Sequence, residues 1–175
     1  MSPEEVRLRD AMCRWGKSLF ERGLTSGSSG NLSARLPDGG FLVTPTNSCL
    51  GFLDPDLLSR LDSEGNPVSG DPPTKEMPLH MAFYEGRPAA GAVVHLHSTY
   101  ATALSCLTDI DPEDAVPPIT PYVVMRVGRV AVVPYDAPGS AEIEAVVREK
   151  ARVHAALLLA NHGPVVSGRT FEDAV

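Results

Sequence analysis

His95 and His97 are the residues whose types and spacing most directly suggest chemistry. They lie in the short apolar run Ala92-Val93-Val94-His95-Leu96-His97. Along a strand, side chains two apart point the same way, about 6.5–7 Å from each other. Two imidazoles so placed can bind one metal ion from a rigid platform. The competing reading is a pair of ordinary histidines on a wetted strand face. The other candidate donors bear on the choice. His162 is the strongest, because it follows an apolar run over 155–160 that suits a fully buried strand. His80 and His154 are weaker, since both lie in or near helices. Glu76 offers a carboxylate at a helix start, because Pro78 is tolerated only in a first turn. The helix dipole there favours an ionised carboxylate, and simple capping is its competing role. Three neutral imidazoles and one carboxylate would suit zinc or a similar divalent metal, acting as a Lewis acid on a carbonyl oxygen.

Two small polar loops stand near these residues. The Ser/Gly run over 25–31 ends in Gly30-Asn31, and Pro45-Thr46-Asn47-Ser48 leaves the next apolar segment. Small residues let a backbone approach a ligand, and free N–H groups can cradle an oxyanion. Both loops fall at one end of an expected hairpin, so together they could hold a phosphate. A plain flexible loop is the alternative for the Ser/Gly run.

The chain has 175 residues, 43% of them hydrophobic, which is enough for one domain with a sizeable core. Its net charge of -7 argues against general affinity for nucleic acid or anionic membranes, which need a basic surface. No apolar run reaches the roughly 18 residues of a membrane-spanning helix, and the N-terminus is not signal-like. Cys13, Cys49 and Cys106 are widely spaced without a Cys-x-x-Cys. They are read as structural thiols in a reducing cytoplasm.

The positioning elements follow from periodicity. Helices are expected over 3–22, from about 75 or 76 to 85, over 98–107 and over 141–150, with another beginning at 171. Strands are expected over 32–36, 41–44, 92–97, 119–126, 130–133 and 155–160, and Val165 and Val166 are apolar again. A further small hairpin is expected around 61–68, a capped turn over 54–58 and a loop over 135–140. Strands and helices alternate, which gives an α/β domain. The hairpins mean that its sheet is not purely parallel.

At this point the residues resemble the class II aldolases of the fuculose-phosphate aldolase and adducin type. The matching pieces are Gly30-Asn31-Leu32-Ser33, Thr44-Pro45-Thr46, Lys75-Glu76 ahead of a helix carrying His80, Val94-His95-Leu96-His97, and Asn161-His162-Gly163. They occur in the family's order across nearly the whole chain. The resemblance implies a three-layer α/β/α sandwich with a mixed, mostly antiparallel central sheet. It implies zinc, or another divalent metal, on His95, His97 and His162. Glu76 would be the fourth ligand in the empty site and an acid–base group once substrate displaces it. It also implies a homotetramer, in which Tyr122 reaches a neighbour's site as a proton donor or substrate contact. Members usually continue with more helix beyond the segment starting at Phe171. The expectation is therefore a single domain over 1–175 without the family's C-terminal helical segment.

Departures from the sugar-phosphate aldolases narrow the resemblance. The second loop reads Thr46-Asn47-Ser48 where those usually have Thr-Gly, and Thr74-Lys75 stands where they usually have two serines. With the segments around His97, Tyr122 and His162, these features look most like the 3-oxo-tetronate 4-phosphate decarboxylases. That branch converts a phosphorylated four-carbon sugar acid to dihydroxyacetone phosphate and carbon dioxide through a metal-stabilised enediolate. On this reading Lys75 contacts the substrate carboxylate or phosphate. Gly30, Asn31, Thr46, Asn47 and Thr74 supply phosphate contacts, and Glu76 or Tyr122 manages the proton delivered to C2. A sugar-phosphate aldolase or epimerase is the alternative enzyme. A non-catalytic adducin-like interaction module is the alternative outside catalysis, and loss of the metal ligands would be its sign.

Overall fold

The computed structural model describes residues 1–136 and 140–175. The expected loop over 135–140 falls partly on residues 137–139, outside the described residues.

Eight strands form one sheet in the order β4-β3-β2-β1-β5-β8-β7-β6. They are β1 (Asn31–Arg35), β2 (Phe41–Val43), β3 (Ser59–Leu61), β4 (Pro67–Ser69), β5 (Ala92–His95), β6 (Val130–Val133), β7 (Ala156–Leu159) and β8 (Gly163–Gly168). Among the described residues, only β6 and β7 pair in parallel, and every other neighbouring pair is antiparallel. The helix α5 (Ala141–Ala151) makes the crossover that a parallel pair requires.

Alternation along the strands divides the core into layers. Phe41, Val43, Val93, Leu157 and Leu159 face α2 (Met77–Gly86) and α5 on one side of the sheet. Leu32, Ala34, Leu42, Ala92 and Val94 face α1 (Pro3–Glu21) and α6 (Phe171–Ala174) on the other. On that second side α3 (Thr99–Ser105) brings Ala101 and Leu104 against Ala156 and Leu158. The result is the expected α/β/α sandwich with a mixed, mostly antiparallel sheet.

Two expected strands are corrected. The segment over 119–126 is helical, as α4 (Pro121–Arg126). Thr120 accepts a hydrogen bond from the Val123 N–H, and Pro121 occupies the first turn. This start signal outweighs the β propensity of Val123 and Val124, which have no neighbouring strand to pair with among the described residues. The strand expected over 92–97 stops at His95. Leu96 still donates its N–H to Pro164 O, so the backbone carrying His97 is tied to the sheet without continuing the ladder.

Candidate metal centre

Four elements deliver the site. His95 closes β5 on the face that Val93 shares, under α2. His97 lies just past the strand end. His162 sits in the turn between β7 and β8, where Asn161 takes a left-handed φ of 56°. A side chain at Gly163 would stand 2.4 Å from Leu96 O, so only glycine lets this turn close onto the His97 segment. Glu76 is the residue before α2, where the helix dipole favours its charge.

The three Nε2 atoms form a triangle with sides of 3.2 Å (His95 to His162), 3.2 Å (His97 to His95) and 3.0 Å (His162 to His97). Glu76 Oε1 lies 3.4 Å from His162 Nε2, and Oε2 lies 3.6 Å from His95 Nε2. Around a tetrahedral ion with nitrogen bonds of about 2.0–2.1 Å, neighbouring nitrogens stand about 3.3 Å apart. The triangle has that size. Three ring nitrogens facing one another cannot all be satisfied by sharing protons, whereas a cation satisfies all three lone pairs.

Protonation favours the same outcome. His95 Nδ1–H donates to Pro164 O at 3.0 Å, which leaves the lone pair on Nε2. Burial pushes the His95 pKa down to about 4 and lowers that of His97, so both rings are neutral near pH 7. Burial works to raise the Glu76 carboxyl, but His95, the Asn31 amide and His162 outweigh it and hold the carboxyl below the ordinary glutamate range. The donor set is therefore three imidazoles, those of His95 and His97 neutral, beside an ionised carboxylate, which can hold a divalent metal.

The remaining candidates separate. His80 is fully buried and hydrogen-bonds Asn31 and Ser33; it does not join the triangle. The ring of His154 donates from Nδ1 to Arg129 O at 3.0 Å. The proposed phosphate segments come together. Thr44 N–H donates to Leu32 O, Leu32 N–H donates to the Thr44 hydroxyl, Thr46 N–H donates to Pro72 O, and Thr74 N–H donates to Thr44 O. Gly30, Asn31, Thr46, Asn47 and Thr74 thus lie on adjacent backbones at one end of β1 and β2, beside Glu76. A Cβ at Gly30 (φ 78°) would stand 2.8 Å from His95 O, so the glycine lets this loop reach the end of β5. Thr74 Oγ1 accepts from Glu76 N–H at 3.3 Å and keeps its own proton free to donate.

Lys75 is exposed and lines a cavity of about 430 Å³ with Glu76, Tyr135, Ser140, Ile143 and His162. Tyr135 and Ser140 were not expected there, since nothing local in the sequence marks them. Tyr122 is not brought to the centre of its own chain. It is 69% exposed on α4 and lines a different cavity with Ser167 and Gly168, at the end of β8 remote from His162.

Residues 10–175 match the model of the class II aldolase and adducin N-terminal domain. The chain belongs to the class II aldolase and adducin family. A 3-oxo-tetronate 4-phosphate decarboxylase of Escherichia coli (strain K12) is 52% identical over 170 residues, covering 97% of this chain and 80% of that one. An L-fuculose phosphate aldolase of Methanococcus maripaludis (strain C7) is 35% identical over 157 residues, covering 89% and 82%. The crystal structure of YgbL from Klebsiella pneumoniae superposes with a TM-score of 0.94 at 52% identity, over 97% of this chain and 82% of that one. Class II aldolases depend on a divalent metal, and in this member His95, His97, His162 and Glu76 are the residues grouped to hold one.

Proposed function

We propose that this chain is a carboxy-lyase, converting a 3-oxo-tetronate 4-phosphate to dihydroxyacetone phosphate and carbon dioxide with zinc or another divalent cation at His95, His97, His162 and Glu76. The observation that carries the choice of reaction is the contrast in identity: 52% to a decarboxylase of that name against 35% to an aldolase. When bound, the cation supplies positive charge to stabilise the electron pair that the departing carboxylate leaves behind.

The chain's own residues do the rest. The C1–C2 bond breaks, its electrons pass towards the C3 oxygen, and C2 must then take up one proton. Glu76 is placed to hold that proton. Being ionised in the resting site, it takes that proton up from solvent once substrate displaces it from the cation; the partner subunit's Tyr122 is the alternative donor to C2. Lys75 lines the same cavity as Glu76 and His162, where it pairs with an anionic end of the substrate. The Gly30-Asn31 and Thr46-Asn47 loops, with Thr74, bind the phosphate. Exposed Ile119, Tyr122, Val124 and Met125 around α4 support a homo-oligomer, a tetramer on the family pattern, with this surface at a subunit border. A single domain in the cytoplasm fits the three free cysteines. Among the described residues, no helix is long and apolar enough to cross a membrane.

The test supplies purified protein with the 3-oxo acid phosphate and follows carbon dioxide and dihydroxyacetone phosphate, with metal analysis of the same sample. Release of an aldehyde from a sugar phosphate instead would assign the chain to the aldolases. Lys75→Ser is expected to lower kcat/KM at least about tenfold, or 1.4 kcal/mol. Unchanged decarboxylation would remove Lys75 from the site.

A further inference from the structure

A buried polar seam runs from the metal centre between α2 and β1. Glu76, at the cap of α2, and His80 and Tyr84 within it recur every four residues, while Asn31 and Ser33 alternate on β1. Four helical residues rise about 6 Å and two strand residues about 6.6 Å, so the two series stay in step. Asn31 Nδ2–H donates to Glu76 Oε2 at 2.5 Å, and Asn31 Oδ1 lies 2.5 Å from His80 Nε2. His80 Nδ1 lies 2.7 Å from Ser33 Oγ, which lies 2.9 Å from the Tyr84 hydroxyl. Asn31 is 5% exposed, Tyr84 2%, and Ser33 and His80 0%.

One arrangement of protons satisfies this row. An ionised carboxylate only accepts, so Asn31 must turn its nitrogen to Glu76 and its oxygen to His80. His80 must then carry its proton on Nε2, accept at Nδ1 from Ser33, and leave Ser33 to accept from Tyr84. Every donor points towards the metal centre. We propose that His80 is a positioning residue for catalysis: its Nε2–H locks the Asn31 amide so that Asn31 holds Glu76 in one orientation beside the three metal-binding imidazoles. Without that donor, the Asn31 amide loses the partner that fixes which end faces Glu76. The catalytic part of the inference rests on the proposed role of Glu76; the geometric part does not.

The test compares His80→Gln and His80→Leu with the unmodified protein in three measurements. These are Co2+ affinity by chelator competition, the Co2+ absorption spectrum, and kcat and KM for the 3-oxo acid phosphate. Gln reproduces a donor near the Nε2 position and Leu does not. His80→Leu is expected to weaken Co2+ binding and lower kcat by about 10–100-fold each, with an altered spectrum and KM within about twofold. His80→Gln is expected to recover most of both. Tyr84→Phe, which removes the hydroxyl that orients Ser33, is expected to shift kcat and the spectrum in the same direction by a smaller factor. It decides the matter should His80→Leu not fold. Wild-type metal affinity and kcat in the Leu variant, or equal losses in Gln and Leu, would overturn the proposal; so would an unshifted Tyr84→Phe where the Leu variant does not fold. A wild-type protein that releases no carbon dioxide, yet keeps the expected order of Co2+ affinities, would refute the assigned reaction and leave the positioning role standing.

Discussion

Helices α2 and α4 start alike and end in opposite surroundings. Each has a proline in its first turn and each is largely apolar. Yet α2 buries Met77, Leu79, His80, Ala82, Phe83, Tyr84 and Gly86, whereas α4 buries nothing. Close approach explains the first. A Cβ at Gly86 would stand 2.2 Å from Arg148 O, so the glycine lets α5 press directly on α2, and both cover the sheet. By contrast α4 stands off the body, over a cavity of about 690 Å³ lined in part by Tyr122, Val123, Ala156 and Val166. Six residues form too few hydrogen bonds to hold a helix in isolation. Apolar composition alone therefore does not define a core element; what matters is whether the chain supplies a second surface. For α2 it does, and the chemistry is anchored there. For α4 the second surface must come from outside the fold described, as the proposed assembly supplies it.

The strongest test of the contrast is truncation of a side chain on each helix. Phe83 is fully buried among α2, α5 and the sheet. Phe83→Ala is expected to cost about 3–5 kcal/mol in chemical denaturation, through lost transfer energy and the cavity left behind. Val124→Ala, measured in dilute protein, is expected to stay within about 0.5 kcal/mol of zero. Similar losses at both positions would mean that α4 is as much part of the fold as α2.

The same contrast explains what the sequence discloses. For α2, Pro78 sets the start, and the apolar positions Leu79, Ala82 and Phe83 set the buried face, so local signals and tertiary packing agree. For 119–126 they conflict: Val123 and Val124 favour a strand, while Thr120 and Pro121 start a helix, and no neighbouring strand is there to settle the matter. The grouping of His95, His97 and His162 was legible because His95 ends a strand with His97 two residues on, tied to Pro164 through the Leu96 N–H, and His162 follows a buried strand. His80 was legible as a residue but not in its role. That role depends on Asn31 and Ser33 arriving from β1, across a pairing that no local pattern encodes. Tyr135 and Ser140 come to the cavity through the crossover to α5, and their positions carry no periodic mark.

A pH series separates the helices next. Burial pushes His80 down to about 3, far below the ordinary value near 6.5. The unfolded chain therefore takes up a proton at this histidine below about pH 6.5, while the folded chain refuses it until about pH 3. The stability contributed by the neutral ring is complete above about 6.5 and falls as the pH drops through that window. The slope is about 1.4 kcal/mol per pH unit for one histidine. In metal-free protein His95 adds to the slope down to about pH 4. Denaturation midpoints between pH 7 and 5 are expected to fall steeply. In His80→Gln the slope should lose one proton's worth. A substitution on α4 such as Met125→Ser should leave the slope as it is. An unchanged slope in His80→Gln would mean that the ring titrates in the fold as it does in water.

The smallest effect on the folded chain, and the one that defines α4, is expected from Met125→Asp. Met125 is 80% exposed and Val124 56%, so a carboxylate at 125 meets water in the isolated chain. The melting midpoint of the dilute monomer should move by no more than about 0.5 kcal/mol corresponds to. In an assembly the same carboxylate is pressed against apolar side chains without a counter-charge and must be stripped of water. The dissociation constant should then rise by about tenfold or more, at 1.4 kcal/mol per factor of ten. Light scattering over a dilution series reads this directly, with Met125→Leu as a control that keeps the apolar surface. If Met125→Asp leaves the assembly intact while disturbing the monomer, the roles given to the two helices are reversed: α4 would be a packed element of the fold, and the assembly would have to use another surface.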